Sequence, residues 1–249
     1  VPSLSNLNLP LDTIEALAWG SNLDWGFNKH PPISAFAVEL IYLIFGAQDW
    51  AYYFLSQIFV IIAFIYVWKF SEEFFNNKIF SLISVLILEA IVFFNYTTPE
   101  FNVYVCQLPF RALTVYYCWK SIQTNKIINW ILLGVFSSLG FLSHYSFIFL
   151  LLALSIYFII YSSKKKFQNN FLIPVIVFFV IISPHLIWLT ENNFITITYA
   201  FARAGAENKN LVNHIINPLI FIFKQFIMLI PLFVLFLVII KKNTKKIKL

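Results

Sequence analysis

The sequence predicts an all-α protein, a polytopic bundle of transmembrane helices. Hydrophobic residues make up 60% and charged residues only 11% of the 249 residues, and the mean hydropathy is +0.80. A soluble domain is roughly 45–50% apolar and about 25% charged. Apolar runs of membrane-spanning length also recur from Trp50 to the C-terminus, and such runs are typical of transmembrane helices.

The hydropathy pattern divides the chain into three regions. Residues 1–49 form a first loop with more polar residues, residues 50–240 form a transmembrane module, and residues 241–249 form a basic tail. Because Val1 stands directly inside the polar loop, we expect the chain to be a fragment cut at both ends. Seven spans are predicted in the module, at residues 50–69, 78–96, 102–119, 128–142, 145–162, 171–190 and 216–240.

Basic segments indicate how these spans are oriented. When the spans alternate across the membrane, four lysine-bearing segments fall on one face, at residues 69–78, 120–126, 164–166 and 241–249. Basic loops favour the cytoplasmic side, so residues 1–49 are expected on the extracytoplasmic side of a bacterial inner (plasma) membrane. The same loops account for the net charge of +6. Membrane lipid, and no nucleic acid, is the expected partner.

Two apolar stretches do not fit a simple span. Residues 127–162 are too long for one span and contain Gly140 and the pair Ser143-His144, so two shorter helices joined at the outer face are predicted. Residues 33–46 are too short to span easily. They fit a helix that lies at the outer interface, or the first part of a bent span.

Four ionisable residues fall at predicted membrane depth: Glu89, Arg111, His144 and Lys224. Such residues cost a few kcal/mol each in lipid and are functional candidates by default. Structural roles are the alternative explanation. Glu89 is then a buried hydrogen-bond partner, and Lys224 extends its side chain to the membrane interface. His144 fits a capping or packing residue. Arg111 lies near mid-helix, where snorkelling is hard, so it needs an anion or a carboxylate as a partner.

The first loop carries an unusual group of polar residues. Its stretch "LDTIEALAWG" contains Asp12 and Glu15, and its "KHPP" step contains Lys29 and His30. A catalytic loop is one interpretation, because carboxylates act as general bases. Local structure is the other, with Asp12 as a helix N-cap, Glu15 as its capping-box partner and "KHPP" as a turn stiffened by proline.

Four stretches together resemble one group of bacterial enzymes. "LDTIEALAWG" and "LDWGFNKHPP" are similar to the first extracytoplasmic loop of glycosyltransferase families 39 and 83, the polyprenyl-phosphate-sugar-dependent transferases of the GT-C fold. "FNVYVCQLP" (101–109) resembles their FNAN-type segment, "LGFLSHYS" (139–146) their Leu-Ser-Lys-Tyr segment, and "SPHLIWLTENNF" (183–194) their Pro-His-Leu-x-Trp-Leu-x-x-Asn segment. The four stretches occur in the order typical of the family.

The resemblance implies a GT-C module whose active site lies at the outer face, where a catalytic loop with short interfacial helices meets a cavity for the donor. Asp12 matches the family's first acid and Glu15 its second. A carboxylate takes the proton of the acceptor hydroxyl, and the leaving phosphate needs positive charge, so a single inverting displacement is expected. The expected substrate-binding residues are Lys29, His30, Asn102, Arg111, His144 and His185.

The expected substrates are a polyprenyl-phosphate-linked sugar and a hydroxyl acceptor on a protein, lipid A or a glycan. No obligatory cofactor is expected. Asp12, Glu15 and His30 are candidates to hold a divalent cation, although carboxylates with one histidine are a weak metal signature, and the resemblance argues against an obligatory metal.

Two residues depart from the family pattern. His144 stands where the family usually carries lysine, and a histidine with its ordinary pKa of about 6.5 is only partly charged at neutral pH. Arg111 stands where a large apolar residue is more common. We hypothesise that Arg111 supplies the charge that His144 lacks.

Two other functions compete with sugar transfer. A transporter or lipid flippase would also carry intramembrane charges, but transporters often have internal repeats, the sequence has none, and a transporter does not explain the polar first loop. A different lipid-phosphate enzyme, such as an O-antigen ligase or a phosphatase, favours an outer loop rich in Arg and His. Residues 191–215 contain Arg203, Lys209 and His214 as their only basic residues.

Overall fold

The computed structural model describes residue 5 and residues 8–164, 169–203, 211–230, 232–234 and 237. Across these residues every regular element is a helix, which confirms the all-α fold class. The α-helices are α1 Leu11–Gly20, α2 Ile33–Phe45, α3 Asp49–Phe75, α4 Lys78–Glu89, α5 Val92–Asn95, α6 Val103–Thr124, α7 Ile127–Ser143, α8 Ile148–Lys164, α9 Leu172–Glu191, α10 Ile195–Arg203 and α11 Leu211–Met228. Short 3₁₀ helices at Tyr145–Phe147 and Asn169–Phe171 precede α8 and α9.

Helices α3 and α9 are long and apolar enough to cross a membrane, by length and composition. Shorter apolar helices are Ile33–Phe45, Ile127–Ser143, Tyr145–Ile160 and Ile215–Met228. Helix α6 has 22 residues and is about 33 Å long, but Gln107 and Arg111 interrupt its apolar surface. The arrangement of seven spans stays a prediction.

Helix α6 is the centre of the bundle. It packs against α3 and α7, while α9 packs against α7 and α4 packs against α3. At the N-terminal end of α6 the core contains Phe101, Val105 and Cys106, together with side chains of α1, α2 and α3. A second cluster around Cys118 and Trp130 lies at the other end of α6. The first cluster holds α1 and α2, the helices of the first loop, against the bundle.

The stretch predicted as one span at residues 78–96 is not one continuous helix, because two helices occupy it. Helix α4 ends at Glu89, and Ile91 has an extended backbone with φ −88° and ψ 123°. The Asn95 side-chain amide donates to the Glu89 carbonyl at 2.5 Å, which satisfies a carbonyl freed at the end of α4. With 12 residues, α4 is about 18 Å long, shorter than a hydrocarbon core of about 30 Å.

The break predicted near Ser143-His144 is confirmed. Helix α7 ends at Ser143, His144 is extended with φ −163° and ψ 135°, and a 3₁₀ helix begins at Tyr145. Gly140 allows the chain to fold back tightly, since a Cβ there would lie 2.2 Å from the ring of Phe147. The short helix predicted at residues 33–46 is also present, as α2.

Two of the four ionisable candidates lie away from the first loop. Glu89 is the last residue of α4 and Lys224 lies on α11, and both are exposed in the protein. Several predicted features lie outside the described residues: Lys165, Lys166, Lys209, the C-terminal part of the seventh predicted span and the basic tail 241–249.

Candidate functional site

The two acids of the first loop lie on α1, but they do not cap it. Pro10 occupies the N-cap position, without a side-chain hydrogen bond. Asp12 is exposed in the first turn, where the helix dipole favours a negative charge. Glu15 forms an ion pair with Lys29, with 2.5 Å between Oε1 and Nζ. The capping-box interpretation of Asp12 and Glu15 is therefore wrong.

A pocket lies where α1 meets the N-terminal ends of α2 and α6. It is small and partly open to solvent, with a cavity volume of about 10 Å³, which is room for about one water molecule. The structure thereby brings together four of the predicted site residues from three separate stretches of sequence. The lining residues are Asp12, Glu15, Ala16, Trp19, His30, Ser34, Asn102 and Val103.

Hydrogen bonds fix α1 and the start of α6 at this pocket. The buried hydroxyl of Thr13 donates to the Phe101 carbonyl at 2.9 Å. Asn102 is the N-cap of α6, and its Oδ1 accepts from the backbone N–H groups of Tyr104 and Val105 at 3.0 and 3.1 Å. The N-cap uses only the side-chain oxygen of Asn102, so the side-chain NH₂ group takes no part in the cap.

Two histidines lie side by side next to the pocket. The rings of His30 and His144 are 5.6 Å apart between centroids. Burial lowers the pKa of His30. Burial, followed by the positive charges of His30 and Arg111, lowers the pKa of His144 to about 4. Because the Ser146 N–H donates to Nδ1 of His144 at 3.1 Å, the neutral ring carries its hydrogen on Nε2. At neutral pH His144 is therefore a neutral donor.

Buried Gln107 connects Arg111 to the break after α7. Its side-chain amide donates to the carbonyls of Gly140 at 3.2 Å and His144 at 2.7 Å. Its Oε1 accepts from Nε and Nη2 of Arg111 at 2.8 and 2.5 Å, and Nη2 also donates to the Ser146 hydroxyl at 3.4 Å. Within the part of the chain that the structure describes, Arg111 has these neutral partners and no carboxylate.

His185 lies on α9 and uses both ring nitrogens for contacts within the protein. Nδ1 lies 2.6 Å from the Trp25 carbonyl, and Nε2 lies 2.7 Å from the Tyr145 hydroxyl. The ring is fully buried and is not among the residues that line the pocket. His185 thus joins the first loop to the segment that follows His144.

Helix α10 places the positively charged Arg203 near Asp12. Arg203 donates from Nη1 to the Tyr199 hydroxyl at 3.2 Å, and Lys29 Nζ lies 6.0 Å from the centroid of the same Tyr199 ring. The hydrogen bond to Glu15 raises the pKa of Lys29. The Tyr199 hydrogen bond, with a smaller contribution from Asp12, raises the pKa of Arg203.

A further acid, Glu100, lies near Asp12. Burial raises the pKa of Glu100, and the negative charge of Asp12 raises it further. Among the described residues no group of three or more His, Cys, Asp and Glu side chains is arranged to hold a metal ion. Asp12, Glu15 and His30 line one pocket without forming such a ligand set.

The comparison with protein families decides the class of the molecule. A family model described as dolichyl-phosphate-mannose-protein mannosyltransferase matches residues 29–188, which is more than half of the 249 residues. The chain belongs to this family. Members of this mannosyltransferase family are integral membrane glycosyltransferases of the GT-C type. No curated protein and no solved structure matches the chain significantly.

The family match confirms the resemblance seen in the sequence. Its range begins at Lys29 and includes the segments around Asn102, His144 and His185, while Asp12 lies ahead of it. The match names a transferase, which removes the reason to consider a transporter or flippase. It assigns no role to any single residue, so the catalytic and substrate-binding roles stay predictions.

Sequence reasoning missed three residues of this site: Glu100, Gln107 and Arg203. Gln107 stood four positions before Arg111 in a quoted motif, and residues four apart on a helix are neighbours, so its contact with the intramembrane arginine was detectable. Glu100 and Arg203 approach Asp12 only through packing. No local pattern in the sequence indicates that proximity.

Proposed function

We propose that this member of the mannosyltransferase family moves a sugar from a polyprenyl-phosphate-linked donor to a hydroxyl acceptor at the outer face of the membrane, with inversion at the anomeric carbon. The state of Asp12 carries the proposal. Its carboxylate is exposed, lines the pocket and has no hydrogen bond or ion pair among the described residues. Glu15 is already held by Lys29, so Asp12 is the acid that is free to accept a proton.

Asp12 acts as the general base. Its carboxylate takes the proton of the acceptor hydroxyl as the hydroxyl oxygen attacks the anomeric carbon. The bond between that carbon and the phosphate oxygen breaks, and the polyprenyl phosphate leaves with the electron pair. A phosphate needs no general acid, but the charge that develops on it needs cations or N–H donors.

Arg111 is the best-supported cation for the phosphate. Gln107 and Ser146 orient its guanidinium, and it has no carboxylate among the described residues to neutralise it. The Nε2–H of neutral His144 adds a donor beside it. His144 contacts His30, which lines the pocket with Asp12, so the phosphate and the base belong to one continuous site. Lys29, His30 and the Asn102 amide then contact the sugar or the phosphate.

The position of the pocket supports an extracytoplasmic active site. It lies at the N-terminal end of α6, whereas Lys120, close to the other end, forms an ion pair with Glu73 near the end of α3. Basic residues favour the cytoplasmic side, so the pocket faces the opposite side. The apolar surfaces of the long helices accommodate membrane lipid and the polyprenyl tail.

The test is sugar transfer by the full-length gene product in membranes, with radiolabelled polyprenyl-phosphate donors. Asp12→Asn keeps the size of the side chain but removes the base, so transfer should fall about 100-fold or more while donor binding persists. Asp24→Asn is the matched control, since this exposed acid of the same loop accepts a hydrogen bond from the neighbouring Trp25 N–H at 2.7 Å and lies outside the pocket lining. It should transfer normally.

Each other outcome contradicts part of the proposal. Normal transfer by Asp12→Asn would exclude Asp12 as the base and direct the search to Glu15. No transfer by the unaltered protein from any polyprenyl-phosphate donor would overturn the proposed reaction itself.

A further inference from the structure

The segment between α1 and α2, residues 21–32, carries Lys29 and His30 and is called the Lys29 loop. It contains no helix, so its backbone depends on tertiary contacts for its position. Ring contacts with Trp19 of α1 and Phe36 of α2 supply part of this support. The hydrogen bonds to the carbonyls of Trp25 and Phe27 come from α9 and α10, which are more than 150 residues away in the sequence. Because the loop supplies the Lys29 partner of Glu15 and the His30 ring of the pocket, the contacts that hold it also set the geometry of the site.

His185 makes the most informative of these contacts. A carbonyl oxygen can only accept, so Nδ1 of His185 donates to Trp25 at 2.6 Å. In the neutral ring Nε2 then accepts from the Tyr145 hydroxyl at 2.7 Å. One buried ring therefore joins α9, the Lys29 loop and the residue directly after His144. Neither ring nitrogen is left for a substrate.

Two neighbouring contacts hold the same part of the loop. The buried Thr196 hydroxyl of α10 donates to the Phe27 carbonyl at 2.6 Å. Gly26 lies so close to Trp188 that a Cβ would be 2.3 Å from the indole ring, and this indole is nearly parallel to the His185 ring, at 10°. Trp25, Gly26 and Phe27 are thus fixed one after another, two to four residues before Lys29.

We propose that His185 is a positioning residue for the transfer reaction, and that it acts through the Lys29 loop. By holding the Trp25 carbonyl it keeps Lys29 within reach of Glu15 and keeps His30 at the wall of the pocket. This proposal rests on the proposed function, but it assigns His185 to the placement of the catalytic loop and not to substrate contact.

Two substitutions of His185 each remove one of its two side-chain hydrogen bonds and retain the other. His185→Asn places an amide nitrogen about where Nδ1 lies and retains the donor for Trp25. His185→Gln reaches about as far as Nε2 and retains a partner for Tyr145, but loses the bond to the loop. In membranes with the full-length protein, kcat/KM for transfer should stay within about threefold for the Asn variant and fall about tenfold for the Gln variant. Tyr145→Phe, which leaves the loop bond intact, should behave like the Asn variant.

A double-mutant cycle tests whether His185 acts through the loop. In a Lys29→Ala background, His185→Gln should cost clearly less than tenfold, because one of the two residues that it positions is already gone. A purely structural role would give the same tenfold loss in both backgrounds and would overturn the proposal. Equal losses for the Asn and Gln variants would overturn it as well.

Hydrogen exchange of the purified protein gives a readout that does not depend on transfer. The Phe27 N–H donates to the His30 carbonyl at 3.1 Å within the loop, so peptides covering residues 21–32 should exchange faster in His185→Gln and at the unaltered rate in His185→Asn. Unchanged exchange in the Gln variant would overturn the proposal. If the unaltered protein transferred no sugar while this exchange pattern appeared, the proposed reaction would be wrong, but the conclusion that His185 holds the Lys29 loop would remain.

Discussion

Gln107→Leu should destabilise the protein by about 2 kcal/mol, although leucine has nearly the same size. The variant loses two amide hydrogen bonds, to the carbonyls of Gly140 and His144. It also loses the two bonds that Arg111 donates to Oε1, but Arg111 is exposed and its guanidinium takes water instead, so these two bonds add little. Both carbonyls keep a second donor, since Gly140 also accepts from the His144 N–H and His144 from the Phe147 N–H. No buried carbonyl is orphaned, so the cost is two ordinary bonds of about 1 kcal/mol each, without a desolvation penalty.

The assay is thermal unfolding of the purified protein in detergent. A loss of about 2 kcal/mol lowers Tm by roughly 4–8 °C for a chain of this size. Gln57→Leu is the matched control, because Gln57 makes one long bond of 3.5 Å to the Thr98 carbonyl, which also accepts from Ser56. It should shift Tm by about 1 °C or less. Equal shifts for the two variants would refute the idea that Gln107 holds the break after α7.

A second substitution at the same position separates stability from donor binding. Gln107→Glu retains an oxygen acceptor for Arg111 and adds a negative charge, which competes with a phosphate for the guanidinium. Donor binding should fall more in Gln107→Glu than in Gln107→Leu. If the Glu variant binds the donor as tightly as the unaltered protein, Arg111 does not hold the phosphate.

Two further predictions concern the cap of α6 and the histidine pair. Asn102→Ala should lose about 1 kcal/mol of stability, because it removes the N-cap of α6. Asn102→Asp keeps an oxygen for the cap and should unfold near the Tm of the unaltered protein. Reduced transfer by this stable Asp variant would show that the Asn102 amide binds substrate, and normal transfer would limit Asn102 to the cap. The pKa values of His30 and His144 in the folded protein lie below the ordinary value of about 6.5. As the pH falls below 6.5, the unfolded chain therefore binds protons before the folded protein does. The stability that these neutral rings contribute is complete above pH 6.5 and is lost as the pH falls. Tm measured between pH 7 and pH 4.5 should therefore fall less steeply in His144→Asn than in the unaltered protein, and parallel curves would contradict the burial of a neutral ring.

Much of the fold follows from properties that neighbouring residues share. Hydropathy accumulates over successive positions, so the helical class and the long helices α3 and α9 could be predicted. The break at His144 was detectable because Gly140 and two polar residues interrupt an apolar run. The interruption at Glu89–Ile91 was missed, because the residues around it are as apolar as those of a continuous span and the break depends on the Asn95 side chain.

The sequence allowed prediction of several residues of the candidate site, but not of the contacts that these residues make with one another. Motifs pointed to Asp12, Glu15, Lys29 and His30, but the capping box expected for the two acids does not form, and Glu15 pairs with Lys29 instead. A helix start can be capped by several local groups, and the sequence does not indicate that a lysine fourteen positions later folds back onto α1.

The helical class, the family and the acidic first loop could all be predicted from the amino-acid sequence, because each depends on residue types at short range. Tertiary structure alone decided that Thr13 of α1 holds Phe101, 88 positions away, and that Trp25 is held by His185, 160 positions away. Such contacts have no short-range signature, since they form when the bundle around α6 buries apolar surface and brings distant polar groups together. Buried polar groups are costly when they lack partners, and that cost selects the pairings that assemble the pocket.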